Sequence, residues 1–78
     1  MNNLEKYNKT FTEIFDINEN QLKGLEYHGI ENWDSVGHMS MVAAIEDNFE
    51  IEMDTDDIID FSSYEKGIEI LTKYGVKF

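Results

Sequence analysis

The stretch DSVGHMSMVAAIEDNFE, residues 34–50, decides the fold because it carries the clearest helical pattern in the chain. At 3.6 residues per turn, its apolar side chains form two stripes on different sides of one helix. The larger stripe consists of Met41, Val42, Ile45 and Phe49. The smaller stripe consists of Val36, Met39 and Ala43, on the side that also carries Ser35, Glu46 and Asp47. Asp34 is a good N-cap whose charge suits the helix dipole, so we predict a helix over residues 35–50.

The two stripes have different expected roles. The larger side chains suit the core, whereas the smaller stripe is surplus to a small bundle and is bordered by acidic residues. An exposed apolar strip rimmed by charge is typical of a docking surface. We therefore predict that the helix buries its larger stripe and exposes the smaller one. The alternative is that neighbouring helices bury both stripes.

Upstream of this helix the chain predicts one more helix and a long connection. Over residues 3–15, apolar side chains recur at spacings of three and four, and Asn2 or Asn3 can cap the start. The predicted core stripe is Leu4, Tyr7, Phe11 and Ile14, with Phe15 beside it. Residues 16–33 lose this period and contain two glycines and isolated apolar residues. Connections of this length in small domains are usually functional or held by their own side chains.

Downstream, the sequence predicts a short helix and a final longer one. The short helix covers residues 54–61, with Ile58, Ile59 and Phe61 facing inward. Ser62 and Glu65 have the spacing of a capping box, which starts a helix that runs to about Tyr74. Its predicted core stripe is Tyr64, Ile68 and Leu71, and Gly75 is the expected residue after its end.

Together these elements predict an all-α protein. The expected architecture is a small four-helix bundle, three main helices plus one short helix, with a long loop between the first and second. At 78 residues the chain fits a single domain over residues 1–78, with a small core. It contains no cysteine, which excludes disulfides and thiolate metal sites.

The charge is strongly acidic, with 17 Asp and Glu against 6 Lys and Arg and a net charge of -11. This balance argues against binding to nucleic acid or to anionic membrane surfaces, both of which require basic residues. It favours partners with basic docking patches, although acidity also serves solubility alone. With no signal segment and no apolar run of membrane-spanning length, we expect a cytoplasmic monomer.

Asp34, Ser35 and His38 are the residue types of a nucleophilic triad, and Ser35 and His38 are three apart on the predicted helix. A triad also needs an oriented histidine and an oxyanion hole, and a nucleophile elbow needs a preceding strand and a glycine where Trp33 stands. So small a bundle leaves little room for a substrate pocket. We therefore predict that the chain is not an enzyme.

The acidic run DTDDIID, residues 54–60, partly matches a calcium loop. Asp54 and Asp56 fit its first and third positions, but Ile58 and Ile59 occupy the fifth position and the required glycine position. We predict no metal site. Ser35 then has two interpretations: a modification site at a helix N-terminus, which favours phosphate, or a first-turn residue without a function.

The segment DSVGHMSMVAAIEDNFEIEM, residues 34–53, resembles the phosphopantetheine-attachment segment of acyl carrier proteins. The Asp34-Ser35-Val36 triplet corresponds to the Asp-Ser-Leu signature of that family, and residues 45–49 to the acidic end of its helix. The order of helices and the length of the chain fit the same family. This resemblance implies the four-helix fold and a function as an acyl carrier protein.

The resemblance also implies the site. Ser35 is expected to carry 4'-phosphopantetheine, donated by coenzyme A through a phosphopantetheinyl transferase, with Asp34 supporting the transfer. The arm provides the thiol that this cysteine-free chain lacks, and it holds acyl or aminoacyl groups as thioesters. The implied docking residues for that transferase, for a loading ligase and for acyltransferase or synthase enzymes are Val36, Met39, Ala43, Glu46 and Asp47.

Some residues depart from the fatty-acid carrier pattern. Val36 replaces the usual leucine, and Gly37, His38 and Ser40 stand where acidic residues are common. Trp33 before the Asp-Ser pair is more typical of stand-alone carriers in specialised biosynthetic pathways. The aromatic residues of the predicted core leave little room to shelter a long chain. The alternative function is an unmodified acidic interaction domain that docks a basic partner through the second helix.

Overall fold

Four α-helices build the protein, as the sequence predicts. The computed structural model describes all residues from Met1 to Phe78. The helices are α1 Asn3–Phe15, α2 Ser35–Phe49, α3 Thr55–Asp60 and α4 Tyr64–Lys73, with a 3₁₀ turn at Glu19–Gln21 between α1 and α2. No strand is present, and the predicted all-α class, with three main helices and one short one, is confirmed. No helix has the length and apolar character to cross a membrane.

Helix α1 has the predicted bounds and buries part of the predicted stripe. Its start is capped by Asn2, whose Oδ1 accepts a hydrogen bond from the Glu5 N–H at 2.8 Å. Tyr7, Phe11 and Phe15 are fully buried. Leu4 and Ile14 are exposed, so their predicted place in the core stripe is wrong. Tyr7, Phe11 and Phe15 are each four residues apart and therefore lie on one side of the helix. Leu4 and Ile14 lie at the edges of that side and remain exposed.

Helix α2 separates its two apolar stripes as predicted. Met41, Val42 and Ile45 are buried and Phe49 is half-buried, whereas the stripe formed by Val36, Met39 and Ala43 is exposed. The alternative that neighbouring helices bury both stripes is therefore wrong. The helix ends one residue before the predicted bound, because Glu50 adopts a left-handed conformation with φ 54°.

The core is dominated by aromatic rings. Fourteen buried hydrophobic residues form one cluster, to which every main helix contributes. Phe15 stacks on Trp33 with ring centroids 5.2 Å apart, and Phe11 contacts Phe61 at 6.2 Å. Aromatic pairs of this kind add a modest stabilisation to that of the buried area itself. Burial raises the pKa of Tyr7, whose hydroxyl donates to the Tyr64 carbonyl at 2.7 Å.

The long connection between α1 and α2 is tied to the rest of the molecule. Its buried apolar residues are Leu22, Leu25 and Trp33. The Leu25 carbonyl accepts from the Tyr64 N–H and the Ser62 carbonyl accepts from the Tyr27 N–H, both at 2.9 Å. Asn32 donates from its amide to the Phe15 carbonyl at the end of α1. This loop is therefore held by its own side chains and by backbone pairing with the start of α4.

Helix α3 differs from its predicted orientation. Phe61, just after its end, is buried and Ile58 is half-buried, but Ile59 is exposed, so its predicted inward position is wrong. Consecutive helical residues are about 100° apart, so Ile58 and Ile59 do not face the same side.

Helix α4 begins one residue later than predicted. Its N-cap is Ser63 rather than Ser62, and the Ser63 Oγ accepts from the Lys66 N–H at 3.0 Å. The predicted capping box is therefore wrong. Glu65 instead accepts from the Gly24 N–H of the long loop at 3.0 Å.

The buried face of α4 also differs from the predicted stripe. Ile70 and Leu71 are buried, whereas Tyr64 and Ile68 are only half-buried. Gly75 ends the helix as predicted, with φ 88°, and the Val76 N–H donates to the Leu71 carbonyl at 3.1 Å in a Schellman motif.

Candidate functional site

Ser35 is an exposed first residue of α2 that has no capping role. The cap is Asp34, whose Oδ1 accepts from the Gly37 N–H at 2.8 Å. A serine at a helix start usually satisfies a free backbone N–H, but here the aspartate does so. The Ser35 hydroxyl therefore takes no part in capping the helix and is open to solvent.

An apolar groove of about 350 Å³ opens beside Ser35. It lies between α2 and α3 and is lined by Tyr27, Ser35, His38, Met39, Ile58, Ile59, Phe61 and Ser62. A larger hollow of about 480 Å³ lies in the long loop, and none of the predicted site residues lines it. The groove is thus the hollow that adjoins the predicted attachment residue.

Exposed apolar side chains flank this groove. Val36 is 73 % exposed and Met39 53 % on α2, and Ile59 is 72 % exposed on α3. Met39 and Ile59 both line the groove, and a contiguous exposed apolar patch of this kind is typical of an interaction surface. Because Ile59 lies on the opposite wall, the apolar surface spans two helices rather than one.

The acidic residues predicted for docking differ in their surroundings. Asp47 is exposed, as is Ala43. Glu46 is half-buried, and its carboxylate accepts from the Met53 N–H at 2.8 Å. Glu46 therefore holds the connection between α2 and α3 in place, whereas Asp47 is open to solvent.

His38 is fixed by hydrogen bonds at both ring nitrogens. The Trp33 Nε1–H donates to His38 Nδ1 at 2.9 Å, and His38 Nε2 lies 2.8 Å from the Ile58 carbonyl oxygen. Neither nitrogen is left to take a proton from the Ser35 hydroxyl. The arrangement expected of a nucleophilic serine is therefore missing at this helix end.

The far side of α3 is anchored to the end of α4. Asp57, nearly buried, accepts from Lys73 and from the Tyr74 hydroxyl, each at 2.6 Å. These hydrogen bonds, Lys73 first and Tyr74 second, hold the pKa of Asp57 below its usual value. The same contact raises the pKa of Lys73 and of Tyr74. The only ion pair formed by α3 thus positions one wall of the groove.

The sequence indicated Ser35 and Asp34 but missed part of the groove. Tyr27, Ile59 and Ser62 come from segments that are distant from α2 in sequence. For Ile59 there was a usable signal, because one of two adjacent isoleucines in a short helix must face away from the core. No cluster of three or more His, Asp or Glu side chains is arranged to hold a metal ion.

The chain matches no protein-family model, and neither a curated protein nor a solved structure is similar enough to count as a match. Function must therefore be inferred from Ser35, the groove beside it and the surrounding surface.

Proposed function

We propose that this protein is an acyl carrier protein that carries 4'-phosphopantetheine on Ser35. The observation that carries the proposal is the position of Ser35, exposed at the start of α2 beside an apolar groove while Asp34 supplies the cap. The resemblance of residues 34–53 to the attachment segment of carrier proteins points to the same residue. The chain is a substrate and partner of enzymes rather than an enzyme.

The residues around Ser35 fit such a group. A phosphodiester on its hydroxyl would lie at the positive end of α2, where free backbone N–H groups favour an anion. Tyr27, Met39 and Ile59 line the adjacent groove and would contact the apolar parts of the arm. When bound, phosphopantetheine supplies a thiol that holds an acyl or aminoacyl group as a thioester. Asp34 is positioned to support the transfer from coenzyme A.

Partner enzymes would dock on the face around the groove. Val36 and Met39, with Ile59 opposite, offer exposed apolar area, and Asp47 adds charge at the far end of α2. The net charge of -11 favours basic patches on a phosphopantetheinyl transferase, a loading ligase and acyltransferase or synthase enzymes. We propose a cytoplasmic location, as for the enzymes it would serve. We further propose a role in a specialised biosynthetic pathway, because the attachment segment departs from the fatty-acid carrier pattern.

The second candidate is an unmodified acidic domain that docks a basic partner through α2. The exposed side chains of Val36 and Met39 favour it as well. The two functions differ at Ser35. A carrier loses all function when Ser35 becomes alanine, whereas a docking domain that uses only the surrounding apolar surface is almost unaffected.

The decisive experiment is an intact-mass measurement after incubation with coenzyme A and a permissive phosphopantetheinyl transferase. We expect the parent protein to gain one phosphopantetheine and Ser35→Ala to gain none. Ser62→Ala is the matched control, because Ser62 is an exposed serine on the same groove and its loss should leave the gain intact. Modification of Ser35→Ala, or loss of modification in Ser62→Ala alone, would contradict the assignment.

A further inference from the structure

His38 joins three parts of the molecule at the floor of the groove. It belongs to α2, it accepts a hydrogen bond from Trp33 of the long loop, and its other nitrogen contacts the Ile58 carbonyl of α3. The Trp33 and His38 rings are almost parallel, with an interplanar angle of 14°. One imidazole therefore links both walls of the groove to the buried tryptophan.

The partners of His38 determine its protonation state. An indole N–H only donates, so His38 Nδ1 must present a lone pair to Trp33. A backbone carbonyl only accepts, so Nε2 must carry the proton that reaches Ile58. The geometry thus assigns the neutral imidazole with its hydrogen on Nε2. A second proton, on Nδ1, would face the indole N–H donor directly.

We propose that His38 is a positioning residue whose neutral form sets the groove beside Ser35, and whose protonation releases α3 from α2. Protonation turns the Trp33 contact into two opposed donors, and the fully buried indole N–H loses its acceptor. The imidazole must then rotate, which breaks its bond to Ile58 as well. Because Asp57 still holds the opposite side of α3, the movement is confined to the wall that carries Ile58 and Ile59.

The titratable groups near His38 come from the long loop, from α2 and from α3. From the long loop, Tyr27 packs against the imidazole at 5.5 Å, and His28 lies behind it against the Tyr27 ring. On α2 itself, Asp34 lies one turn earlier and its carboxylate caps the helix. On α3, the Asp57 carboxylate is turned to α4. Histidine is the side chain whose ordinary charge change falls between about pH 5 and 8, so that is the range in which the contact is tested.

This inference rests on the proposed function in one respect only. If Ser35 carries an arm, the groove that holds the arm changes with pH. The two hydrogen bonds that join Trp33 to His38 and His38 to Ile58, called the relay below, can be tested on the unmodified protein. The chain has a single tryptophan, so the indole N–H signal belongs to Trp33 without ambiguity.

The test is nitrogen-15 NMR of the imidazole and indole groups between pH 8 and pH 5. We expect His38 at pH 8 to show a protonated Nε2 and an unprotonated Nδ1. On acidification the indole N–H and the Ile58 amide should shift with one common midpoint, and the protection of the indole N–H relative to its intrinsic exchange rate at each pH should fall about tenfold. His28→Gln should retain this transition and His38→Gln should lack it.

Trp33→Phe keeps an aromatic ring at the same place and removes the N–H donor together with the five-membered ring, so it is a second test of the relay if His38→Gln does not fold. In that variant the Ile58 amide should shift clearly less on acidification than in the parent, because protonated His38 no longer faces a second donor and keeps its contact with the Ile58 carbonyl. A protonated Nδ1 at pH 8, or an indole signal that stays constant while His38 titrates, would overturn the inference.

The two proposals can fail separately. If Ser35 accepts no phosphopantetheine but the indole and Ile58 signals move together with His38, the proposed function fails and the relay stands. If Ser35 is modified but those signals do not move together, the relay is wrong and the carrier function stands. In modified protein, signals of the arm should follow the His38 midpoint, and His38→Gln should abolish that dependence.

Discussion

At the scale of single residues, the start of α2 depends on a glycine that weakens helices in general. Glycine in a helix interior costs about 0.5–1 kcal/mol relative to alanine. At position 37, however, a Cβ would lie 1.9 Å from the Asn32 carbonyl oxygen and 3.3 Å from the Phe15 ring. The end of the long loop therefore passes so close to α2 that only glycine fits.

We predict that Gly37→Ala destabilises the protein, although helix propensity alone predicts the opposite sign. The backbone at Asn32 has to move, and overpacking of this kind costs about 1–3 kcal/mol. Urea unfolding followed by circular dichroism measures the change. Ser40→Ala, an exposed position on the same helix, should stay within about 0.5 kcal/mol of the parent. An equal or higher stability of Gly37→Ala would show that the close approach is absent.

A pair of substitutions at Asp34 separates its role as a cap from its proposed role in transfer. Asp34→Ala removes the acceptor for the Gly37 N–H and should cost about 1 kcal/mol in unfolding free energy. Asp34→Asn keeps an acceptor oxygen, so its stability should remain close to that of the parent. If Asp34 supports the transfer, both variants should be modified more slowly at Ser35 by the transferase. Unchanged modification rates would leave Asp34 with the capping role alone.

The sequence predicted the cap of α2 correctly but not the cap of α4. Asp34 was identifiable because it directly precedes a strong helical pattern. At the start of α4, the capping-box spacing to Glu65 favoured Ser62, whereas the cap is Ser63. The choice of Ser63 depends on backbone pairing of Ser62 and Tyr64 with the long loop, which no local pattern encodes.

At the scale of elements, α3 is short and depends on contacts at both of its sides. Six residues are too few for a stable helix on their own. His38 contacts it at Ile58, and Lys73 and Tyr74 bind Asp57. The Asp54 N–H also donates to the Tyr74 hydroxyl at 2.9 Å. The end of α4 is thus the main support of the groove wall that bears Ile59.

The acid dependence of stability follows from Asp57. Its pKa in the folded state lies below the ordinary 3.8, chiefly because Lys73 and Tyr74 bind the charged form. The unfolded chain therefore takes up this proton more readily, and the stabilisation is complete above the ordinary pKa. It is lost as the pH falls through the lowered folded-state value.

We predict that Asp57→Asn is less stable than the parent at pH 7 and that the difference narrows below about pH 4. Urea midpoints measured from pH 7 to pH 2.5 would reveal this convergence. Asp56→Asn alters the exposed neighbour on the same helix and should follow the parent curve throughout. Parallel curves for Asp57→Asn and the parent would contradict the role of this ion pair.

The helices could be predicted from sequence more accurately than their orientation. Helix bounds follow from caps and periodicity. The predicted bounds of α1 were therefore correct, and the predicted α2 was one residue too long. The buried face of α3 depends on the contact of Ile58 with His38 and on the hydrogen bonds of Asp57 with Lys73 and Tyr74. These contacts extend across the whole molecule, which is why Ile59 was assigned to the core.

At the scale of the whole molecule, the aromatic core limits what the bundle can hold. Tyr7, Phe11, Phe15, Trp33 and Phe61 are buried, and their rings contact one another. Close-packed interiors resist the insertion of additional groups. A carried chain would therefore remain on the arm and in the surface groove rather than enter the core.

We predict that a long acyl thioester on Ser35 leaves the core methyl resonances of Val42, Ile45 and Leu71 unchanged. Signals of groove residues such as Met39 and Ile59 should shift, because they lie next to the arm. A carbon-13 methyl spectrum of the loaded and unloaded forms checks this. Large shifts of the core methyl groups would mean that the bundle opens to admit the chain.

The proposal that Ser35 carries a phosphopantetheine arm is tested by the intact mass of the protein isolated from cells that produce it naturally. We expect one phosphopantetheine per chain, located on Ser35 by fragmentation, with any additional mass labile to hydroxylamine as a thioester. That additional mass would identify the carried group. A population that is entirely unmodified, or modified at another residue, would overturn the proposal and favour the acidic docking domain.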